Sequence, residues 1–195
     1  MRRFDAISVR DETSRGLVEA MLGATPELSL DPCLQFELPL EPVAVDDPDP
    51  FVAVYGHSFS AAFGRQVRRW ARSRGHRLVS IGYRNDWADE QQIAAGPNEF
   101  AHLLARADAV ATNFFHGCVF ALRHATPFAC ELSPYRSTKI ADLLTMVGGT
   151  RHLVSEDATT AAFDDCLGAP VDPDVLGRIG DFRRSADAYL DAVLA

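Results

Sequence analysis

The chain has 195 residues, enough for one substantial core or for one domain with part of another. Hydrophobic residues make up 47% and charged residues 24%, an ordinary balance for a soluble globular protein. The net charge of −8 argues against nucleic acid as the main partner, because a phosphate backbone is met by a basic face. Six arginines do cluster over residues 65–77, at a spacing that fits the solvated face of a helix. Cys33, Cys118, Cys130 and Cys166 lie far apart, with no zinc-type spacing, so no metal is expected. Cys118 and Cys130 sit in apolar surroundings and read as small buried residues. No apolar signal region follows Arg2-Arg3 and no run is long enough to span a membrane. These features together predict a cytoplasmic protein without an integral membrane segment.

Residues 4–9 read as a strand, 11–22 as a helix and 27–30 as a second strand. Asp11 and Glu12 suit the first turn of that helix, but Arg10 opposes its dipole. Either Arg10 is held there to meet an anion, or it pairs locally with Asp11 or Glu12. Over residues 31–50 the prolines and the Asp46-Asp47-Pro48-Asp49-Pro50 run predict an extended segment, with the linker proper at 41–50. Residues 1–40 then form one piece and 51–195 another.

From residue 51 strand and helix alternate. Strands are expected at 51–55, 78–81, 109–111 and 128–131. Between them Phe59, Phe63, Val67 and Trp70 recur at helical spacing, as do Phe100, Leu103 and Leu104, and a helix continues over 118–123. Ile140, Leu143, Leu144 and Val147 form an i, i+3, i+4, i+7 face that stops at Gly148-Gly149. A last stripe runs from Val175 to Val193, although Gly177 and Gly180 weaken its first turns by about 1 kcal/mol each. The alternation predicts an α/β fold, a doubly wound parallel sheet with helices on both faces.

Ligands of such sheets sit outside the carboxyl ends of the strands. Three strand-to-helix turns there carry polar residues: Gly56 and His57 in the first, Asn113, His116 and Gly117 in the second, Arg136, Ser137 and Lys139 in the third. Each leads into a helix whose free N–H groups favour an anion. Arg136 offers a fork and Lys139 a point charge. Each residue also has a plain role open to it, as turn glycine, helix cap or exposed histidine.

In order along the chain stand Ser8-Val9-Arg10-Asp11-Glu12-Thr13-Ser14, Leu30-Asp31-Pro32, Ala109-Val110-Ala111-Thr112-Asn113-Phe114-Phe115-His116-Gly117, Thr126-Pro127-Phe128 and Ser137-Thr138-Lys139-Ile140. With these segments the chain resembles the polysaccharide pyruvyl transferase family. The resemblance implies a Rossmann-like sheet similar to the C-terminal half of a GT-B fold, preceded by the tail of a first Rossmann-like domain. It implies an enzyme that moves the pyruvyl unit of phosphoenolpyruvate onto a sugar of a cell-surface polysaccharide as a ketal, with phosphoenolpyruvate as donor substrate and no cofactor. Arg10 and the His116-Gly117 turn would then serve the donor, with His116 as general acid, since imidazole suits proton transfer near neutrality. Some members of the family carry arginine two positions before the motif histidine. Here that position is Phe114, so the cation is absent or is supplied by Arg136 or Lys139. A truncated product, a fragment, a homo-oligomer and one half of a split pair all stay open. So does a non-catalytic half that binds a sugar-phosphate, a nucleotide-sugar or a partner chain.

Overall fold

The computed structural model describes residues 4–41, 49–132 and 137–195, with the side chain of Ser137 excepted. Residues 42–48 of the expected linker and Arg136 therefore lie outside the described residues.

The amino-terminal piece is built from β1 (Ser8–Val9), α1 (Glu12–Leu22), β2 (Glu27–Leu28) and the single-turn α2 (Pro32–Gln35). β1 and β2 pair in parallel, but over two residues each, far shorter than the runs expected at 4–9 and 27–30. Asp11 caps α1 by accepting from Ser14 N at 2.7 Å, and Gly23 ends it in the left-handed region at φ 66°. The extended reading of residues 31–50 fails at its start. Asp31 caps α2 and Pro32 occupies its first turn, where a missing N–H costs nothing.

Among the described residues the remainder is one six-stranded parallel sheet with helices packed on it. Its strands are β3 (Phe51–Tyr55), β4 (Arg77–Ile81), β5 (Glu90–Gln92), β6 (Ala109–Thr112), β7 (Phe128–Glu131) and β8 (Leu153–Val154). They lie in the order β5-β4-β3-β6-β7-β8. That is the doubly wound Rossmann arrangement, in which the order reverses between the first strand and the fourth. The helices are α3 (Ala61–Ser73), α4 (Pro97–Arg106), α5 (Phe115–Arg123), α6 (Ser137–Val147), α7 (Thr160–Gly168) and α8 (Pro173–Leu194).

Alternate strand residues feed two separate cores, as a sheet covered on both faces requires. Phe51, Ala53, Val110, Phe128 and Cys130 face α4, α5, α6 and α8. Val52, Val54, Ala109, Ala111 and Ala129 face α3 and α7. Cys118 and Cys130 are fully buried, as expected. The amino-terminal piece joins the first core through Leu30 and Leu34. Arg183 on α8 donates to Leu34 O at 2.9 Å, and Arg123 on α5 donates to Cys33 O at 2.8 Å. Those bonds hold α2 against the sheet domain, close to the turn that follows β6. Among the described residues no helix is long and apolar enough to cross a membrane.

His152 stacks on Phe128 with ring centroids 4.0 Å apart and donates from Nδ1 to Phe128 O at 2.7 Å. Its Nε2 is buried without a hydrogen-bond partner among the described residues. Burial pushes its pKa from 6.5 down to about 4, against the opposing pull of the carbonyl. The unfolded chain therefore takes up a proton that the native state refuses as pH falls through 6.5. Between pH 6.5 and 5 stability should drop by about 2 kcal/mol from this group alone. Urea unfolding at both pH values checks this: His152→Gln should show a smaller difference than the parent.

Candidate functional site

The turns after β3 and β6 meet where the strand order reverses, the place where ligands of such sheets bind. Thr112 Oγ1 donates to Tyr55 O at 2.6 Å and accepts from Phe114 N at 3.0 Å. Asn113 Nδ2 donates to His57 O at 2.8 Å. These bonds lock the two turns together and fix the start of α5. Among the described residues no side chain caps α5, so its first N–H groups stay available to an anion.

Sequence reasoning placed Gly56, Asn113 and Gly117 on the ligand; in the structure each also has a close neighbour within the two turns. A Cβ on Gly56 would lie 2.2 Å from Asn113 Oδ1, and one on Gly117 would lie 2.1 Å from Thr112 Oγ1. A side chain at either position would collide with a neighbouring side chain, of Asn113 and Phe59 at Gly56 and of Thr112 at Gly117. Asn113 is buried, 2% exposed, and acts as a clamp between turns. His57 joins a group of rings, 5.2 Å from Tyr83 and 5.3 Å from Phe114, with Nδ1 2.9 Å from Ser58 Oγ.

His116 is exposed in the first turn of α5. Arg10 reaches the same place from the amino-terminal piece: its guanidinium carbon lies 5.2 Å from the centre of the Phe115 ring. Arg10 pairs with neither Asp11 nor Glu12. Its NH1 donates to Asp31 Oδ2 at 2.7 Å, across 21 residues of chain. Asp31 is 3% exposed whereas Arg10 is 40% exposed, so the carboxylate orients the guanidinium while its outer edge stays open to solvent. Asp31→Ala should lower stability by about 1–2 kcal/mol, through the lost cap of α2 and the released arginine. An unchanged urea midpoint would contradict this.

Lys139, exposed in the first turn of α6, lines two cavities. One, about 460 Å³, is lined by Arg10, Asp11, Ser14 and Pro32 among others. The other, about 680 Å³, is lined by Tyr55, Tyr83, Phe114, Phe115, His116, Thr138, Lys139 and Ile140. Both volumes suit a small molecule. Ser137 begins α6, as a third strand-to-helix turn requires. The structure thus brings together Arg10, His116 and Lys139 from the expected set.

Sequence spacing did not show that Asp31 and Cys33 approach His116. Ligand atoms of these three residues lie within 4.8 Å of one another. The carboxylate is already engaged, by Cys33 N at 3.0 Å on one oxygen and by Arg10 on the other. A metal ion there would compete with a guanidinium for the same acid. Burial, reinforced by Asp31, also raises the Cys33 thiol, which disfavours the thiolate that a metal takes. The cluster is therefore better suited to orienting Arg10 than to holding a cation. Tyr83 was also missed, and Tyr55, which opens the first of the three polar turns, was not singled out. The available signal was an aromatic residue at or just beyond the carboxyl end of each of two adjacent strands.

Among solved structures, the chain is similar to the glycosyltransferase SnogD from Streptomyces nogalater at 13% identity and a TM-score of 0.50, over 92% of this chain and 60% of that one. It is also similar to the glycotransferase of kitacinnamycin at 16% identity and a TM-score of 0.44, over 83% of this chain and 49% of that one. The chain thus spans about half to three-fifths of the length of these two proteins. The likeness to SnogD is one of fold, consistent with one half of a GT-B architecture. No curated protein matches the chain. The family model for polysaccharide pyruvyl transferases matches residues 1–131, from the Arg10 segment through β7, and the chain belongs to that family.

Proposed function

We propose that this chain carries the donor-holding part of a transferase that moves the pyruvyl group of phosphoenolpyruvate onto two hydroxyls of a saccharide. The observation that best supports this reading is the meeting of Arg10 with the uncapped start of α5 beside His116. Phosphoenolpyruvate has a carboxylate and a phosphate, and needs separate positive features for each. Arg10, Lys139 and the N–H groups of α5 are three such features around the two cavities that Lys139 borders.

In the reaction the methylene carbon takes a proton and a first sugar hydroxyl adds to C2. A second hydroxyl then displaces phosphate from C2 and closes the ketal. One hydroxyl proton balances the methyl group formed, and the other leaves with the phosphate. In this reading His116 gives the proton or meets the departing phosphate. Asp31 keeps Arg10 oriented toward the donor.

Calorimetric titration of the full chain with phosphoenolpyruvate tests the reading. Saturable binding is expected, with Arg10→Ala and Lys139→Ala each weakening it by about tenfold, the scale of one charged hydrogen bond. No binding to the parent chain would sink it.

A further inference from the structure

Three rings stand at the larger cavity, outside the donor-holding set named above. Tyr55 ends the central strand β3, and Tyr83 follows β4 after Gly82, which turns the chain at φ 70°. Phe114 precedes α5. Their centroids lie 4.9 Å apart for Tyr83 and Phe114, 5.1 Å for Tyr55 and Phe114, and 6.0 Å for Tyr55 and Tyr83. Phe100 on α4 backs Tyr55 at 4.6 Å, and Ser80 Oγ donates to Tyr83 O at 2.7 Å. The wall is thus held in place before any ligand arrives. Tyr83 nonetheless leaves 38% of its surface to solvent.

The angles decide what such a wall can take. Phe114 stands at 90° to Tyr83 and 89° to Tyr55, and the two tyrosines are tilted by 57°. No two of these rings are parallel, so they form a corner and not the flat slot that sandwiches a nucleobase. A pyranose chair presents a puckered patch of C–H groups that packs into a corner, with hydroxyls around its edge. The same cavity supplies His116 and Thr138 for those hydroxyls. Resting on the reading of the preceding subsection, we propose that the corner of Tyr55, Tyr83 and Phe114 seats the acceptor sugar. Its C–H face packs on the rings and its hydroxyl edge faces His116. This makes Tyr83 and Phe114 specificity-determining residues for the acceptor, separate from the donor-holding cations.

The test uses saturation-transfer NMR on the full chain with methyl β-D-galactopyranoside and methyl β-D-glucopyranoside as probes, and adenosine monophosphate as the rival. Irradiating aromatic protons should transfer saturation to ring C–H protons of at least one pyranoside. Tyr83→Ala and Phe114→Leu should each weaken that probe about 5- to 10-fold, whereas Tyr83→Phe keeps it. Tyr83 is exposed enough for its truncation to leave the fold intact, and Phe114→Leu keeps apolar volume without the ring. Phosphoenolpyruvate affinity should be unchanged in all three variants. Sugar binding that ignores Tyr83→Ala and Phe114→Leu, or no binding of either pyranoside, overturns the proposal. So does adenine occupying the corner in their place. If the chain binds a pyranoside through these rings but no phosphoenolpyruvate, the donor assignment fails and the corner stands.

Discussion

His116→Ala should lower turnover of phosphoenolpyruvate with a saccharide acceptor by about 100-fold or more, with a much smaller change in donor affinity. General acid–base groups typically contribute about 10²–10⁴-fold, and their loss falls on the chemical step and not on the ground state. The geometry favours that split. Arg10 and Lys139 hold charge independently of the imidazole, and the N–H groups of α5 belong to the backbone. His116→Asn sharpens the test, because it restores a hydrogen-bonding edge without a titratable nitrogen. Recovery with asparagine would mean that the residue only orients phosphate. Full activity with alanine would make His116 a surface residue of a helix start, and the proton would have to come from elsewhere in the cleft.

How far the site was legible follows from which contacts are local. The β3 and β7 boundaries could be read from unbroken apolar runs, and the α6 face from its clean stripe ended by glycines. β5 was invisible because Glu90-Gln91-Gln92 is polar, as an edge strand can be. β8 and α7 went unread: a two-residue strand has no period, and Phe163, Cys166 and Leu167 stand among alanines and aspartates. Asp31-Pro32 was taken as a breaker, although aspartate followed by proline is also how a helix begins. In the site, His116 was placed by its position after a strand. The Arg10–Asp31 pair and its approach to α5 depend on how the amino-terminal piece docks, through Arg123 and Arg183, and no local pattern encodes that. Gly56 and Gly117 were read as backbone that approaches a ligand, and the contacts around them are those of close packing. A glycine needed for close packing looks the same in sequence as one needed for backbone approach to a ligand.

Gly117→Ala separates those two tasks and should cost at least about 3 kcal/mol of stability, read by urea unfolding. Intrinsic propensity alone would favour the change, since alanine in a helix is better than glycine by about 1 kcal/mol. Packing opposes it more strongly. The new methyl would lie 2.1 Å from Thr112 Oγ1, 2.7 Å from its Cβ and 2.9 Å from its Cγ2, in a fully buried spot where a forced shift costs about 1–3 kcal/mol or more. Moving Thr112 also breaks the hydroxyl's bonds to Tyr55 O and from Phe114 N, which tie the two turns together. Thr112→Ala alone loses those bonds but removes two of the three clashing atoms. Gly117→Ala should therefore cost less on that background than on the parent, a coupling that a double-mutant cycle reads directly. Equal costs on both backgrounds would show that Thr112 is not what α5 packs against. A stabilised Gly117→Ala would mean that the helix start sits further from β6, with room at that position for a side chain.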